Sequence, residues 1–423
     1  MSKKRRDSTR SKRRSEVKTH PNWTYRIFLA ARKAIQTSAS TDFNEDNEWD
    51  VQLFERVVQA LDTGTDKHVL RAMEDLEEAG LEDAAERVSV FTEIATATMP
   101  IMGQTAGGAT EAGNLRLFLA PVLIMVEPNH VLPMRMPDDV SMEDAVRVKP
   151  SPLTLLASSI RRHGLVGKDP IVTALPWLYA YSDLPETWSG QRGMLRQITH
   201  GLCGQPERIP TPKNTPTAKQ PTLALRFLVF AIFSAFKDED VGPLLDVDAT
   251  DMDREPDQRF DAWQADLSQV IAEALPGVLF AEAGIPEGWG DAMHTGITMY
   301  NLYGLANAVL PPVAPTTHVS MGVYLVDGGP ELRIGITRDR KFSGGFVWVC
   351  HQDPKEEIED ALMALEEMNV PFDQIHVASE VFGDERCPDC GEPYFPSVTT
   401  EDLHDHRDES ATNAIESGHG WLH

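Results

Sequence analysis

A short pattern occurs twice in similar surroundings: Pro185-Glu186-Thr187-Trp188 and Pro286-Glu287-Gly288-Trp289. Tryptophan is scarce, at 8 of 423 residues, so this recurrence constrains the fold more than any other feature. The surroundings repeat as well. An apolar strand headed by Arg, at 116–125 and again at 226–235, precedes a helix, near 153–163 and again at 261–275. Allowing two inserted residues, Gly193, Gly201 and Leu202 align with Gly296, Gly304 and Leu305. This predicts an internal duplication of ~105 residues, with units at 103–204 and 222–315. Strand and helix alternate in each, which implies an α/β layer. Trp188 and Trp289 are then equivalent core residues, or they line a cleft where the units meet.

The flanking segments have other periods. Residues 19–102 read as a small helical bundle. One helix, 49–61, puts Trp49, Leu53, Val57 and Leu61 on one face; the next, 66–79, carries Val69, Leu70, Met73 and Leu76. Gly64 and Gly80 are their stops, and a third helix, 82–99, ends at Pro100. Gly103, Gly107, Gly108 and Gly113 read as a hinge without phosphate-loop or dinucleotide spacing. Residues 115–126 read as a buried strand, in which Pro121 argues for an edge or a bulge. Further on, 171–181 is strand-like and 190–202 helical. Five prolines between 206 and 221 mark a linker at 205–221. Residues 316–396 form a β-rich α/β unit: a hairpin (317–326 and 331–338), a strand at 345–350, a helix and a strand at 374–381. The helix has Asp353 as cap, Glu356 at capping-box spacing, and Ile358, Leu362, Leu365 and Met368 as its buried stripe. The fold class is α/β (α+β).

Net charge is −26, but it is uneven. Residues 1–18 hold nine basic and two acidic side chains, a charge of +7, leaving −33 on the rest. Such a tail stays disordered and can touch nucleic acid, anionic lipid or the acidic body. The body repels phosphate backbones, so nucleic-acid binding is expected through residues 1–18 only. The acidic stretch 237–261 fails the calcium-loop pattern, since position six from Asp246 is Asp251 and not Gly. Residues 397–423 read as an acidic mobile tail. No span reaches the ~20 apolar residues of a membrane helix. Four cysteines are too few for a disulfide scaffold, which points to a cytoplasmic protein.

Cys387-Pro388-Asp389-Cys390-Gly391 is the most specific chemical motif. Two thiolates at this spacing can share one tetrahedral zinc, and the following Gly permits a left-handed turn. A redox pair normally opens a helix, whereas Pro393 and Pro396 follow here; a plain loop is the third reading. The knuckle supplies two ligands. The strand–helix–strand order predicts parallel neighbouring strands ending on one sheet edge. That edge offers Cys350 and His351, since the six residues to Cys387 span at most about 20 Å. The candidate metal set is therefore Cys387, Cys390, Cys350 and His351, with His404 and His406 competing and a buried strand position the alternative for Cys350. His200 and Cys203, three apart, read as a core helix end rather than a base–nucleophile pair. His404-Asp405 has no second His-Asp beside it, and the esterase, metalloprotease, P-loop and kinase motifs do not occur.

The strand Ala120-Pro121-Val122-Leu123, the segment Phe346-Val347-Trp348 and the ending Cys387-x-x-Cys390-Gly391-x-Pro393-x-Phe395-Pro396 resemble an uncharacterised proteobacterial family, a domain of unknown function. The resemblance covers most of 20–396. It implies a bacterial cytosolic protein and transfers no catalytic residue. The first functional expectation is a non-enzymatic adaptor or assembly factor with structural zinc, acting on a protein partner or a second copy. The second is an enzyme with a small-molecule site between the duplicated halves. The third is a nucleic-acid-associated regulator using the basic tail.

Overall fold

The computed structural model describes residues 22–38, 48–104, 108, 110–137, 151–213, 217, 221–236, 242, 244–245, 258–309, 316–327, 329–388, 391 and 393–397. The chain divides into two compact units, Met1–Ala95 and Thr96–His423. Among the described residues are nine helices and nine strands in two sheets.

The first unit is helical: α1 (Trp23–Ser38), α2 (Glu48–Leu61), α3 (Lys67–Glu78) and α4, which begins at Glu82 and runs to Ala97. Ile27, Leu53, Val57, Val69, Leu76 and Val88 form its core. Gly64 and Gly80 adopt φ of 82° and 68°, the left-handed stops expected of them. The α3 stripe is rotated from the expected one. Ala72 is buried while Leu70 is exposed, because small residues let helices approach closely.

In the second unit, β1 (Thr98–Gln104) follows α4 directly, so Pro100 lies in a strand rather than ending the helix. β1 pairs antiparallel with β2 (Thr110–Val126). The expected hinge is thus largely the two sides of a hairpin. Gly103 and Gly113 sit in its strands because Phe233 packs where a Cβ would be: 2.6 Å from its ring at Gly103 and 2.8 Å at Gly113. Then come α5 (Pro152–Arg162), β3 (Ile171–Tyr179), α6 (Trp188–Leu202), β4 (Thr222–Ala235), α7 (Gln258–Ala274), β5 (Val278–Ala283) and α8 (Trp289–Val309). Thr187 caps α6, accepting from Gly190 N–H at 3.2 Å.

The first sheet has the order β1-β2-β4-β3, with β5 also on β2, and every pairing is antiparallel. Pro121 stands opposite Phe227 at the middle of the β2–β4 pairing. It is central, not on an edge. Leu119 exchanges hydrogen bonds with Glu287, and Pro121 O accepts from Gly284 N–H at 2.7 Å, so Pro121's missing N–H faces the partner chain between Gly284 and Glu287, where it loops away. β2 and β4 are covered on both faces, which is why they read as continuous apolar runs. Leu156, Ile160, Trp263 and Leu267 of α5 and α7 pack on one face. Leu195, Ile198, Trp289 and Ile297 of α6 and α8 pack on the other. Within the Pro-rich stretch, Tyr179 Oη donates to Pro210 O at 2.8 Å and Lys213 N–H to Asp183 at 3.0 Å, so its described residues are fastened to the sheet.

The second sheet, order β8-β7-β6-β9, contains β6 (Thr317–Val326), β7 (Gly329–Arg338), β8 (Lys341–Val349) and, after α9 (Pro354–Glu367), β9 (Ile375–Gly383). The first three form a meander; β9 is parallel to β6. β7 turns into β8 through Asp339 and Arg340, at φ of 51° and 62°. α8 packs on β2 and β4 and also on β8, so one core joins both sheets.

Candidate functional site

The end of β8 is held by two buried polar groups. Asn301 of α8 donates its amide to Val349 O at 2.9 Å and accepts from Val349 N–H at 3.0 Å. Glu357 of α9, fully buried, accepts from the Trp348 indole at 2.7 Å and from the backbone N–H groups of His351 and Gln352 at 2.8 and 3.1 Å. The His351 imidazole Nδ1 lies 3.0 Å from the same carboxylate, and the His294 ring meets the His351 ring edge-on at 4.3 Å. Burial alone would raise the Glu357 carboxyl; hydrogen bonds from His351 and Trp348 outweigh it and hold the group at about 2. The same hydrogen bond raises His351 against its own burial. Burial, then the negative charge of Glu357, pushes the Cys350 thiol up to about 12. Cys350 is therefore a protonated thiol at neutral pH and a poor nucleophile. The sequence pointed to Glu356 as the acid of this helix. Asp353 caps as expected, accepting from Lys355 N–H at 2.9 Å, but it is Glu357 that turns inward.

The outer face of the second sheet carries the C-terminal hairpin. Arg386 bridges Pro393, and Tyr394 N–H donates to Glu385 O at 3.1 Å. At its tip Gly391 N–H donates to Cys387 O at 2.8 Å, with Gly391 at φ 77°. Cys387 is buried; Cys390 lies outside the described residues. Arg333 of β7 fastens the hairpin. Fully buried, it donates to Glu331 and Asp384 carboxylates, each at 2.6 Å, and to the carbonyls of Glu385 and Tyr394 at 2.7 and 3.2 Å. It stacks 4.1 Å over Tyr324, which stacks on Phe382. Gly335 and Gly345, partners across β7 and β8, leave room for Pro396 and for the Phe395 ring. A side chain at Gly345 would stand 2.6 Å from that ring.

The strand order differs from the one expected to place the predicted ligands on one sheet edge. β8 and β9 are parallel but not neighbours, since β7 and β6 stand between them. The meander fills those places, and the crossover through α9 returns to the far side of β6. The hairpin reaches back instead. From Tyr394 to Pro396 it runs over Arg333 and then Gly335, so its tip points to the end of the sheet where Val349 and Cys350 lie. His351 is already engaged by Glu357. Among the described residues, no group of three or more His, Cys, Asp or Glu has a metal-holding arrangement. His404 and His406 lie outside them. Cys203 is exposed just after α6, not in the core as expected, and His200 is exposed as well. Trp188 and Trp289 each open a helix, but Trp289 is buried and Trp188 only half-buried. Asn301 and Arg333 gave no sequence signal beyond lone polar residues in apolar segments, and Glu357 was one acid within a charged run.

Fold and site together define an α/β protein with two sheets and a C-terminal hairpin fastened by a buried arginine. A family model described as a protein of unknown function (DUF2863) matches residues 10–416, and the chain belongs to that family. No curated protein and no solved structure matches the chain. No described helix is long and apolar enough to cross a membrane.

Proposed function

We propose that this chain is a non-enzymatic adaptor or assembly factor whose C-terminal hairpin is closed by a structural zinc knuckle. The observation that carries this reading is the tip of the hairpin. Gly391, in the left-handed region, folds its N–H onto Cys387 O and closes a turn that begins at Cys387. Two thiolates in such a turn suit a tetrahedral zinc. Cys387 and Cys390 would hold it, and the direction of the hairpin favours Cys350 as a further ligand. Metal binding would have to displace the Cys350 proton. A structural rather than catalytic role fits the spending of Glu357 and Arg333 on joining elements within the molecule.

We infer also that 103–204 and 222–315 are copies of one unit. Each contains strand, helix, strand and helix, in that order. A half-turn about an axis through Pro121 and Phe227 would exchange β2 with β4, and β3, outside β4, with β5, outside β2.

Elemental analysis of the full chain, purified without chelator, tests the metal. About one zinc per chain or per dimer is expected. Cys387→Ser and Cys390→Ser should each abolish it, and Cys350→Ser should lower it. Metal-free wild-type protein would sink the knuckle.

A further inference from the structure

The junction of α8 with the end of β8 brings two imidazoles together. His294 lies in the second turn of α8, and His351 stands two residues past β8. Their ring centroids are 4.3 Å apart, with the planes at 70°.

The two nitrogens of the His351 ring have different surroundings. Nδ1 lies 3.0 Å from the Glu357 carboxylate. Nε2 is shut off from solvent and has no hydrogen-bond partner. A carboxylate beside Nδ1 keeps the proton on that nitrogen and leaves the Nε2 lone pair free. Buried polar atoms are rarely left so. A metal-ligating histidine has this same division, with one ring nitrogen on the ion and the other on a carboxylate. Glu357 is itself fixed by the Trp348 indole and by the backbone N–H groups of His351 and Gln352, so the ring is oriented from behind. The local field suits a cation, since Glu357 and Asp360 both act on the His351 ring as negative charges. His294 is exposed and has room to turn a nitrogen towards the same point. Metal–nitrogen bonds of about 2.0–2.1 Å set the centroids of two imidazoles on one ion about 4.5–5 Å apart. The observed separation is close to that.

We propose that His294 and His351 together bind a divalent transition-metal ion of the kind that favours imidazole, such as nickel, copper or zinc. Solvent completes the coordination, so the ion is exchangeable. It ties α8 to the turn between β8 and α9, and the site does not depend on the cysteine turn of the hairpin.

Isothermal titration of the full-length chain with nickel chloride tests this, because nickel is well suited by imidazole. His294→Ala, His351→Ala and the double variant should each bind one ion fewer than wild type, since one shared ion is lost whether one histidine is removed or both. His376→Ala, an exposed histidine on β9, should bind as many as wild type. Glu357→Gln should weaken the site about 10–100-fold. His294 is exposed, so its variant should keep the wild-type circular dichroism even if His351→Ala or Glu357→Gln disturbs the end of β8. No nickel binding by wild type, unchanged binding by His294→Ala, or a loss of two ions in the double variant overturns the site. Thiolate-to-nickel absorption that disappears in His294→Ala would assign the ion to the cysteines and overturn it as well.

Discussion

Arg333 joins pieces of chain that are distant in sequence, and Glu357 ties the start of α9 to the end of β8 just before it. Arg333, paired with Glu331 on its own strand, holds β7 to the hairpin through one carboxylate and two carbonyls, with no exposure to solvent. Removing one member of such a set leaves the others buried without a partner. Arg333→Ala is expected to cost about 3–5 kcal/mol in chemical denaturation and to speed hydrogen exchange at the described residues of 384–396. Unchanged exchange there would show that Arg333 does not fasten the hairpin. Glu357 and His351 set a pH dependence. The carboxyl, held at about 2 against an ordinary 4.5, gives stability that is full above pH 4.5 and lost as pH falls towards 2. His351, raised above its ordinary 6.5, gives stability that is full below pH 6.5 and lost as pH rises through its folded value. Their joint contribution is therefore greatest between pH 4.5 and 6.5. Glu357→Gln should flatten the melting-temperature profile on both sides of that window. A profile parallel to wild type would refute the coupling.

At the level of elements, the aligned glycines of α8 and α6 meet different surroundings. Gly296 of α8 faces Phe227 and Pro121, and a Cβ there would come within 2.9 Å of the Phe227 ring. Gly193 of α6 has nothing within 4 Å of that position. Gly296→Ala should therefore destabilise by about 1–3 kcal/mol from overpacking, less the ~1 kcal/mol gain in helix propensity. Gly193→Ala should stabilise by about 0.5–1 kcal/mol. Equal effects in denaturation would mean that α8 does not press on the first sheet as closely as described. The aligned glycines Gly193 and Gly296 thus do different work, which sequence spacing could not reveal. Most element positions were legible, because apolar period and Gly stops are local. The β1–β2 hairpin was not: its glycines, needed to seat Phe233, look the same as a flexible hinge. The turn at Asp339-Arg340 was equally silent, since neither residue is glycine although both have positive φ.

On the scale of the whole molecule, one core runs from the first sheet through α8 to the second. The hairpin lies outside it, on the far face of the second sheet. Removing the proposed zinc with a strong chelator is expected to loosen the described residues of 384–396 and leave amides of β2 and β4 protected from exchange. Loss of protection throughout would instead make the metal a support of the main core. The sequence alone determined most of the strands and helices, the turn-forming Gly after the second cysteine, and the family to which the chain belongs. All of these rest on local pattern or on motif. Only the tertiary structure decided that β6 and β7 separate β8 from β9, that Glu357 rather than Glu356 turns inward, and that Cys350 is half-buried while Cys203 is exposed. Those outcomes depend on strand order and on which buried groups find partners, and both are set by contacts between residues far apart in the chain.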